Sequence, residues 1–182
     1  DALLHDLAAA AMLDSVGSLL RPKVTPAQIA RVTAAIDEGD DLFTQGFNDR
    51  VRDVLAQMAY LARGYHVVVA NPPYLGKGLD EELKDFLATD YADVKSDLFA
   101  AFVVRNTELT LPNGQLGFMT PFVWMFISSY EKLREFLIAR KTITALVQLE
   151  YSGFEGATVP ICIFTLENAH RPDFKGLHFA LR

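Results

Sequence analysis

Four consecutive residues, Asn71-Pro72-Pro73-Tyr74, have the clearest potential for chemistry, and they directly follow the apolar run HVVVA. Each proline fixes its own φ and holds the preceding residue extended, so the loop is stiff before any ligand arrives. Because prolines lack an N–H, the local carbonyls and the Asn71 side chain are hydrogen-bond acceptors without competing donors. Tyr74 adds a flat aromatic face. Two acceptors beside a ring suit a planar amino group attached to a ring or to an amide.

The chain before this loop is predicted to be helical, because residues 1–63 place apolar side chains at helical spacing. Thr25 is a candidate N-cap, with Pro26 at the first helical position. Asn48 is a candidate N-cap of a later helix, which Gly64 is expected to end. We therefore predict a helical segment that ends where the β-branched run begins.

From residue 65 onward, apolar runs of strand length alternate with helical patterns, which predicts an α/β domain. The β-branched run at 66–70 is typical of a strand buried on both faces of a parallel sheet. The later predicted elements are a helix capped by Ser96 or Asp97, a turn at 112–114, a strand at 115–119, a helix at 128–140, and strands at 142–150 and 160–167. Only a short loop joins the last two strands, so we expect a hairpin at one end of a mixed sheet. Ligands of open α/β sheets bind beyond the carboxyl ends of strands, which is where residues 71–74 fall.

The composition is that of an ordinary single-domain globular protein, with 182 residues of which 51% are hydrophobic and 22% charged. No uninterrupted apolar run reaches the roughly 20 residues needed to span a bilayer, so we expect no membrane segment. The alanine-rich start lacks a basic region and carries Asp1, Asp6 and Asp14, which argues against a signal peptide. The single cysteine, Cys162, lies in an apolar run, so a core position and a reducing cytoplasm are expected.

The net charge of −6 has the wrong sign for a stand-alone nucleic-acid binder, so a basic surface would have to come from another part of the protein. The acidic run at residues 37–41 lacks the spacing of a calcium loop and is interpreted as a solvated turn. His5, His170 and His178 show no ligand spacing either, so no metal site is predicted.

Residues 71–74 resemble motif IV of S-adenosylmethionine-dependent amino-methyltransferases, especially the adenine-N6 DNA methyltransferases. The resemblance implies that the Asn71 side chain and the Pro72 carbonyl accept hydrogen bonds from the target amino group, with Pro73 completing the rigid catalytic loop. Such a loop catalyses by positioning and electrostatics. The resemblance also implies that Tyr74 stacks on an adenine flipped out of double-stranded DNA.

The resemblance covers residues 65–168. The segment from SDLF to REFL is similar to the helix, strand and helix that follow motif IV in type I, type IIG and BREX phage-defence methyltransferases of the PglX type. It implies that Phe154 is a second stacking face for the adenine and that Phe102 lines the cofactor's adenine pocket. The alternative for Phe154 is a loop aromatic that covers the sheet edge. The alternative for Phe102, as for Phe99, is an ordinary core position.

The residues around the loop raise two further questions, the role of Lys77 and the location of the cofactor turn. Lys77 is either a contact to a DNA phosphate or an ordinary loop lysine. The family also binds S-adenosylmethionine with a Phe-x-Gly-x-Gly turn, and nothing before residue 65 matches it. The glycines at positions 76, 78, 153 and 156 do not open a helix, as that turn must. We therefore expect the S-adenosylmethionine site to be incomplete in this chain.

These observations predict a partial Rossmann-like methyltransferase fold. Residues 64–182 would be the C-terminal part of the catalytic domain, and residues 1–63 a helical insertion before the motif IV strand. A motif I region upstream and a target-recognition domain downstream would complete the protein.

The implied function is transfer of a methyl group from S-adenosylmethionine to adenine N6 in double-stranded DNA, by a cytoplasmic restriction-modification or phage-defence enzyme. Other subunits of a defence system are possible partners, and the isolated chain would be inactive. Two alternatives remain open. One is a protein glutamine-N5 methyltransferase, since those enzymes use the same tetrapeptide, and the other is a non-catalytic methyltransferase-like module for DNA binding or assembly.

Overall fold

The computed structural model describes residues 2–38, 45–75, 78–149 and 159–181. The chain divides into two compact units, Asp1–Arg63 and Gly64–Arg182. Each unit is described by itself.

The first unit is helical. Its helices are α1 (Ala2–Ala9), α2 (Leu13–Val16), α3 (Pro26–Glu38) and α4 (Gln45–Ala62), with 3₁₀ turns at Ala10–Met12 and Gly17–Leu19. The predicted start of α3 is confirmed by a capping box, in which the Thr25 N–H donates to Gln28 Oε1 (2.8 Å) and the Gln28 N–H donates to Thr25 Oγ1 (3.3 Å). The predicted N-cap at Asn48 is wrong, because α4 begins at Gln45. Asparagine costs little inside a helix that has already begun, so its presence alone does not mark a start.

A buried carboxylate ties α1 to the segment before α3. The Asp6 side chain is 2% exposed and its Oδ2 accepts hydrogen bonds from the backbone N–H groups of Lys23 and Val24, both at 2.7 Å. By length and composition alone, the stretch Ala2–Leu19 could cross a membrane, with a mean hydropathy of 1.2 and 17% of it buried. This stretch is not an uninterrupted apolar run, because it contains Asp6 and Asp14, so the expectation from the sequence is not contradicted. Core helices and signal sequences pass the same test, so it is weak evidence for a membrane.

The second unit is built on a five-stranded mixed sheet with the order β1-β2-β4-β3-β5. Its elements are β1 (Tyr65–Ala70), α5 (Glu81–Asp90), α6 (Leu98–Leu109), β2 (Thr110–Pro121), α7 (Glu131–Arg140), β3 (Thr142–Gln148), β4 (Ile161–Glu167) and β5 (Leu177–Ala180). Strands β1 and β2 are parallel, β4 is antiparallel to both of its neighbours, and β3 is parallel to β5. The predicted α/β class with a mixed sheet is confirmed.

Strand β1 is not buried on both faces, as its β-branched run predicted. Val67 is 61% exposed and Val69 is 76% exposed, whereas Val68 on the opposite face is half-buried. The reason is that successive side chains of a strand alternate between the two faces of the sheet, and the face that carries Val67 and Val69 has no covering layer among the described residues. A continuous apolar run cannot reveal which face has a covering layer.

The predicted hairpin is confirmed, but its position at one end of the sheet is wrong. Strands β3 and β4 pair antiparallel, with Thr142 opposite Glu167 and Gln148 opposite Cys162. The edge beyond β3 is instead formed by β5, which the sequence did not predict. All four residues of β5 are exposed. The strand therefore lacks the alternation of buried and exposed side chains that makes a strand recognisable.

The predicted turn at 112–114 lies within β2 as an irregularity and does not precede the strand. Asn113 has a φ of 63°, and a side chain on Gly114 would lie 2.8 Å from the His66 carbonyl oxygen of β1. The pairing of β1 with β2 shifts register at this point, between Tyr65 and Val67. A bulge of this kind lets the two strands continue in parallel toward their carboxyl ends.

The core of this unit lies between the sheet and its helices. Phe118 of β2 and Phe164 of β4 are fully buried, with ring centroids 5.2 Å apart. Cys162 is completely buried, which confirms its predicted core position. Helix α6 is buried along most of its length, including Phe99 and Val103. This packing fixes the first turn of α6, which matters for the loop after β1.

Candidate functional site

The loop after β1 begins at the end of the sheet where the parallel strands β1 and β2 have their carboxyl ends. Ala70 pairs with Phe118, so Asn71 emerges beside Met119 near the end of β2. The Asn71 side chain is exposed, Pro72 is buried, Pro73 is exposed and Tyr74 is half-buried. The first proline therefore anchors the loop against the protein and leaves the asparagine amide facing solvent.

The hydroxyl of Tyr74 lies between the motif asparagine and the neighbouring strand. It is 2.9 Å from Asn71 Oδ1 and 3.2 Å from the Met119 carbonyl oxygen. Burial raises the pKa of Tyr74 above its ordinary value of 10.0, and the negative charge of a Cys162 thiolate would add to that effect. The hydroxyl therefore keeps its proton at neutral pH and acts as a donor.

The end of the loop is held by Asp97, the N-cap of α6. Asp97 Oδ1 accepts from the N–H of Leu75 (3.1 Å) and from the N–H of Phe99 (3.3 Å). The Leu98 N–H in turn donates to the Leu75 carbonyl oxygen at 3.2 Å. The carboxylate that caps the helix thus also holds the residue that follows Tyr74. Of the two predicted caps, Ser96 and Asp97, the structure selects Asp97.

Tyr130, at the start of α7, completes this arrangement. Burial raises the pKa of Tyr130 to about 12, with further contributions from the charge of Asp97 and a hydrogen bond to it. Burial also raises the pKa of Asp97 above its ordinary 3.8, although the hydrogen bonds it accepts from backbone N–H groups and from Tyr130 oppose the rise. Ser96 Oγ donates to the Ser129 carbonyl oxygen at 3.3 Å, which adds a second link between the same segments.

Sequence reasoning did not assign Asp97, Tyr130 or Met119 to the site. Asp97 was recognised only as a possible helix cap, which is a local role. Its bond to Leu75 spans 22 residues, and no local pattern encodes such a partner. The Met119 carbonyl is backbone, so its contribution depends only on strand register.

The remaining predicted site residues fall in two groups. Phe102 is half-buried on α6, whereas Phe99 is completely buried with its ring centroid 5.2 Å from that of Tyr130. Phe99 is therefore a core residue, and Phe102 is the one of the two that keeps an accessible surface. The other group, Lys77 and Phe154, lies outside the described residues.

The described residues before β1 lack the strand that a Gly-rich cofactor turn would follow. Before β1, residues 2–38 and 45–63 form helices and turns and contain no strand that could carry a Gly-rich turn into a helix. Phe102 is the predicted cofactor contact that the described part of the chain retains. Within the same described ranges, no three His, Cys, Asp or Glu side chains are grouped so that they could hold a metal ion.

The sequence matches the family described as Eco57I restriction-modification methylase over residues 15–154. Among solved structures, it is similar to a class I S-adenosylmethionine-dependent methyltransferase from Listeria monocytogenes. That similarity has a TM-score of 0.53 and 20% identity, and it covers 71% of this chain and 45% of that one. At this identity the similarity establishes the fold.

Two curated relatives are adenine-specific methyltransferases by name. BrxX of Escherichia coli O9:H4 (strain HS) is 37% identical over 131 residues, which are 70% of this chain and 11% of that protein. PglX of Lacticaseibacillus casei (strain Zhang) is 33% identical over 132 residues, again 70% of this chain and 11% of the relative. The chain therefore spans about a tenth of the length of these relatives. With a family match across most of its residues and a methyltransferase fold, the chain belongs to the Eco57I restriction-modification methylase family.

Proposed function

We propose that this chain is part of an enzyme that transfers a methyl group from S-adenosylmethionine to adenine N6 in DNA, in restriction-modification or phage defence. The observation that carries the proposal is the rigid loop at the carboxyl end of β1. It presents the exposed Asn71 amide at the sheet edge, beside the half-buried ring of Tyr74, in a chain of this family. The relatives named as adenine-specific methyltransferases share this part of the chain.

In this mechanism the loop acts by holding the target amino group. The Asn71 side-chain oxygen and the Pro72 carbonyl oxygen accept hydrogen bonds from the two N–H groups of the target amino group. These hydrogen bonds direct the nitrogen lone pair away from the loop. S-adenosylmethionine, when bound, supplies an electrophilic methyl group. Positive charge would develop on the nitrogen during methyl transfer, and the Asn71 and Pro72 oxygens would stabilise it. The amino group would lose one proton to water after it is methylated.

The base itself is held by stacking. The ring of Tyr74 lies against one face of the flipped adenine, and Phe154 against the other, each contributing about 1–3 kcal/mol. Lys77, three residues beyond Tyr74, contacts a DNA phosphate. Of these three residues, only Tyr74 belongs to the part of the chain that the structure describes.

The cofactor site is shared with another part of the protein. We assign Phe102 to the adenine pocket of S-adenosylmethionine, and the methionine end to an upstream Gly-rich turn. The exposed side chains of Val67 and Val69 on an edge strand support a further part of the catalytic domain packing there. Residues 1–63 would then be an insertion in that domain. A basic target-recognition domain would offset the net charge of −6, and the enzyme would act in the cytoplasm, where its DNA is.

The test is the production of N6-methyladenine by the full-length enzyme and by its Asn71→Ala variant. We expect Asn71→Ala to reduce methylation about 100- to 1,000-fold, because it removes an acceptor that acts on the developing charge. The matched control is Gln115→Ala, which removes an exposed amide from β2 and should leave methylation within twofold. N6-methyladenine is measured by mass spectrometry of digested DNA. Near-normal methylation by Asn71→Ala would remove the proposed role of the loop.

The same assay separates the alternatives. A glutamine-N5 methyltransferase would methylate a protein substrate and leave DNA unmodified. A non-catalytic module would bind DNA without methylating it, with or without Asn71. Membership of a restriction-modification methylase family favours DNA as the substrate.

A further inference from the structure

The hydroxyl of Tyr74 has two possible acceptors and one hydrogen. Met119 O lies at 3.2 Å and Asn71 Oδ1 at 2.9 Å, both within hydrogen-bonding distance. A tyrosine hydroxyl can donate one full hydrogen bond and can accept others through its lone pairs. The Met119 carbonyl can only accept. The Asn71 amide can do either, because a rotation of 180° about its terminal bond exchanges its oxygen and its nitrogen.

These constraints favour one orientation of the Asn71 amide over the other. If Asn71 Nδ2 faces Tyr74, it donates to the hydroxyl oxygen, and the hydroxyl donates to Met119 O, so all three groups are satisfied. If Oδ1 faces Tyr74, it competes with Met119 O for the single hydrogen. The other amide position of Asn71 has no partner among the described residues, and the side chain is exposed. The choice therefore decides whether Asn71 presents an acceptor or a donor to the cleft.

We propose that Tyr74 is a positioning residue that holds the Asn71 amide turned 180° from the orientation in the structure, where Oδ1 faces the hydroxyl. In the proposed orientation Asn71 Nδ2 donates to the Tyr74 hydroxyl and the hydroxyl donates to Met119 O, a relay of two hydrogen bonds that leaves Asn71 Oδ1 facing the cleft as an acceptor. This inference rests on the proposed function and deepens it. An acceptor in that place suits an amino group, whereas an –NH₂ group there would oppose the N–H bonds of adenine. The hydroxyl thus has a role separate from the stacking of the ring.

The surroundings of Tyr74 keep the relay in place. The next residue, Leu75, is fixed to Asp97 through its N–H, and Pro72 is buried on the other side. Because burial raises the pKa of Tyr74, its hydroxyl does not lose the relayed proton in the physiological range. Met119 belongs to β2, whose pairing with β1 fixes the position of the carbonyl.

The orientation of the amide can be measured in the 182-residue chain itself, without activity. With ¹⁵N-labelled asparagine, we expect nuclear Overhauser contacts between the Asn71 δ2 amide protons and the Tyr74 ring protons ortho to the hydroxyl. In Tyr74→Phe, which keeps the ring, these contacts should weaken as the amide samples both orientations. Assigned Asn71 amide protons with no contact to the Tyr74 ring in the unmodified chain would overturn the proposal.

Kinetics of the full-length enzyme supply the second readout. Tyr74→Phe should lower the single-turnover methylation rate about tenfold, the loss of one hydrogen bond, with unchanged base flipping reported by 2-aminopurine fluorescence. In an Asn71→Asp background the carboxylate offers an acceptor in either orientation, so Tyr74→Phe should cost less than twofold. An equal cost in both backgrounds, or no cost in the unmodified enzyme, would overturn the relay. Either result leaves the Asn71→Ala test of the proposed function unaffected.

Discussion

Residues 71–75 beyond β1 are held by groups from two other elements, whereas the outward face of β1 has no covering layer. Tyr74 bonds to the end of β2, and Leu75 bonds to the cap of α6. By contrast, Val67 and Val69 are both more than half exposed. The loop that we propose holds the target amino group is therefore fixed by contacts within this unit. A covering layer for the outward face of β1 is not provided by the residues described.

Among the substitutions that test this difference between the loop and the face of β1, Asp97→Ala should have the largest effect on the free energy of unfolding. The variant removes the acceptor shared by the Leu75 and Phe99 N–H groups. We expect the free energy of unfolding to fall by about 2 kcal/mol, because a helix cap and a link to a second segment are lost together. Urea denaturation of the 182-residue chain measures the change.

The control for that variant is Asp93→Ala, which changes an exposed aspartate on the 3₁₀ turn Ala92–Val94. It should shift the free energy of unfolding by less than about 0.5 kcal/mol. If the two variants lost the same stability, Asp97 would not be holding the loop.

A smaller effect concerns pH. Because the folded-state pKa of Asp97 is raised above 3.8, mainly by burial, the folded chain binds this proton more tightly than the unfolded chain does. The contribution of Asp97 to stability is therefore greatest at low pH and declines as the pH rises from 3.8 through the folded-state pKa. Asp97→Asn should remove this decline. Denaturation of both proteins between about pH 3.5 and 7 checks it, and identical pH profiles would contradict the burial of this carboxylate.

The smallest expected effect is that of Val69→Thr on the uncovered face of β1. We expect a change below about 0.5 kcal/mol in the free energy of unfolding, since the side chain already contacts water. Val103→Thr makes the same substitution at a position of α6 that is 1% exposed, and it should cost about 1–3 kcal/mol. Equal costs at the two positions would mean that the face of β1 is covered in solution.

Local features of this fold could be predicted from the sequence. The capping box at Thr25 and the cap at Asp97 each depend on residues within a few positions of one another. The stiffness of the Asn-Pro-Pro-Tyr loop and its place after a strand also follow from neighbouring residues. The α/β class followed from the alternation of strand-length and helix-length patterns.

Features that depend on distant partners could not be predicted. The exposure of Val67 and Val69 reflects what lies beside and above β1, which the run of valines does not encode. Strand β5 forms by pairing with β3, although its own residues are all exposed. The bonds of Tyr74 to Met119 and of Leu75 to Asp97 join positions 45 and 22 residues apart. These contacts are set by strand register and helix packing.

The central claim is that Asn71 holds the exocyclic amino group of the target adenine. It is tested most directly by the binding of DNA duplexes with adenine or with purine, which lacks that amino group, at the target position. We expect Asn71→Ala in the full-length enzyme to weaken binding of the adenine duplex about tenfold and to leave the purine duplex within twofold, since only adenine loses a hydrogen bond. An equal change in the dissociation constants of both duplexes would contradict the claim.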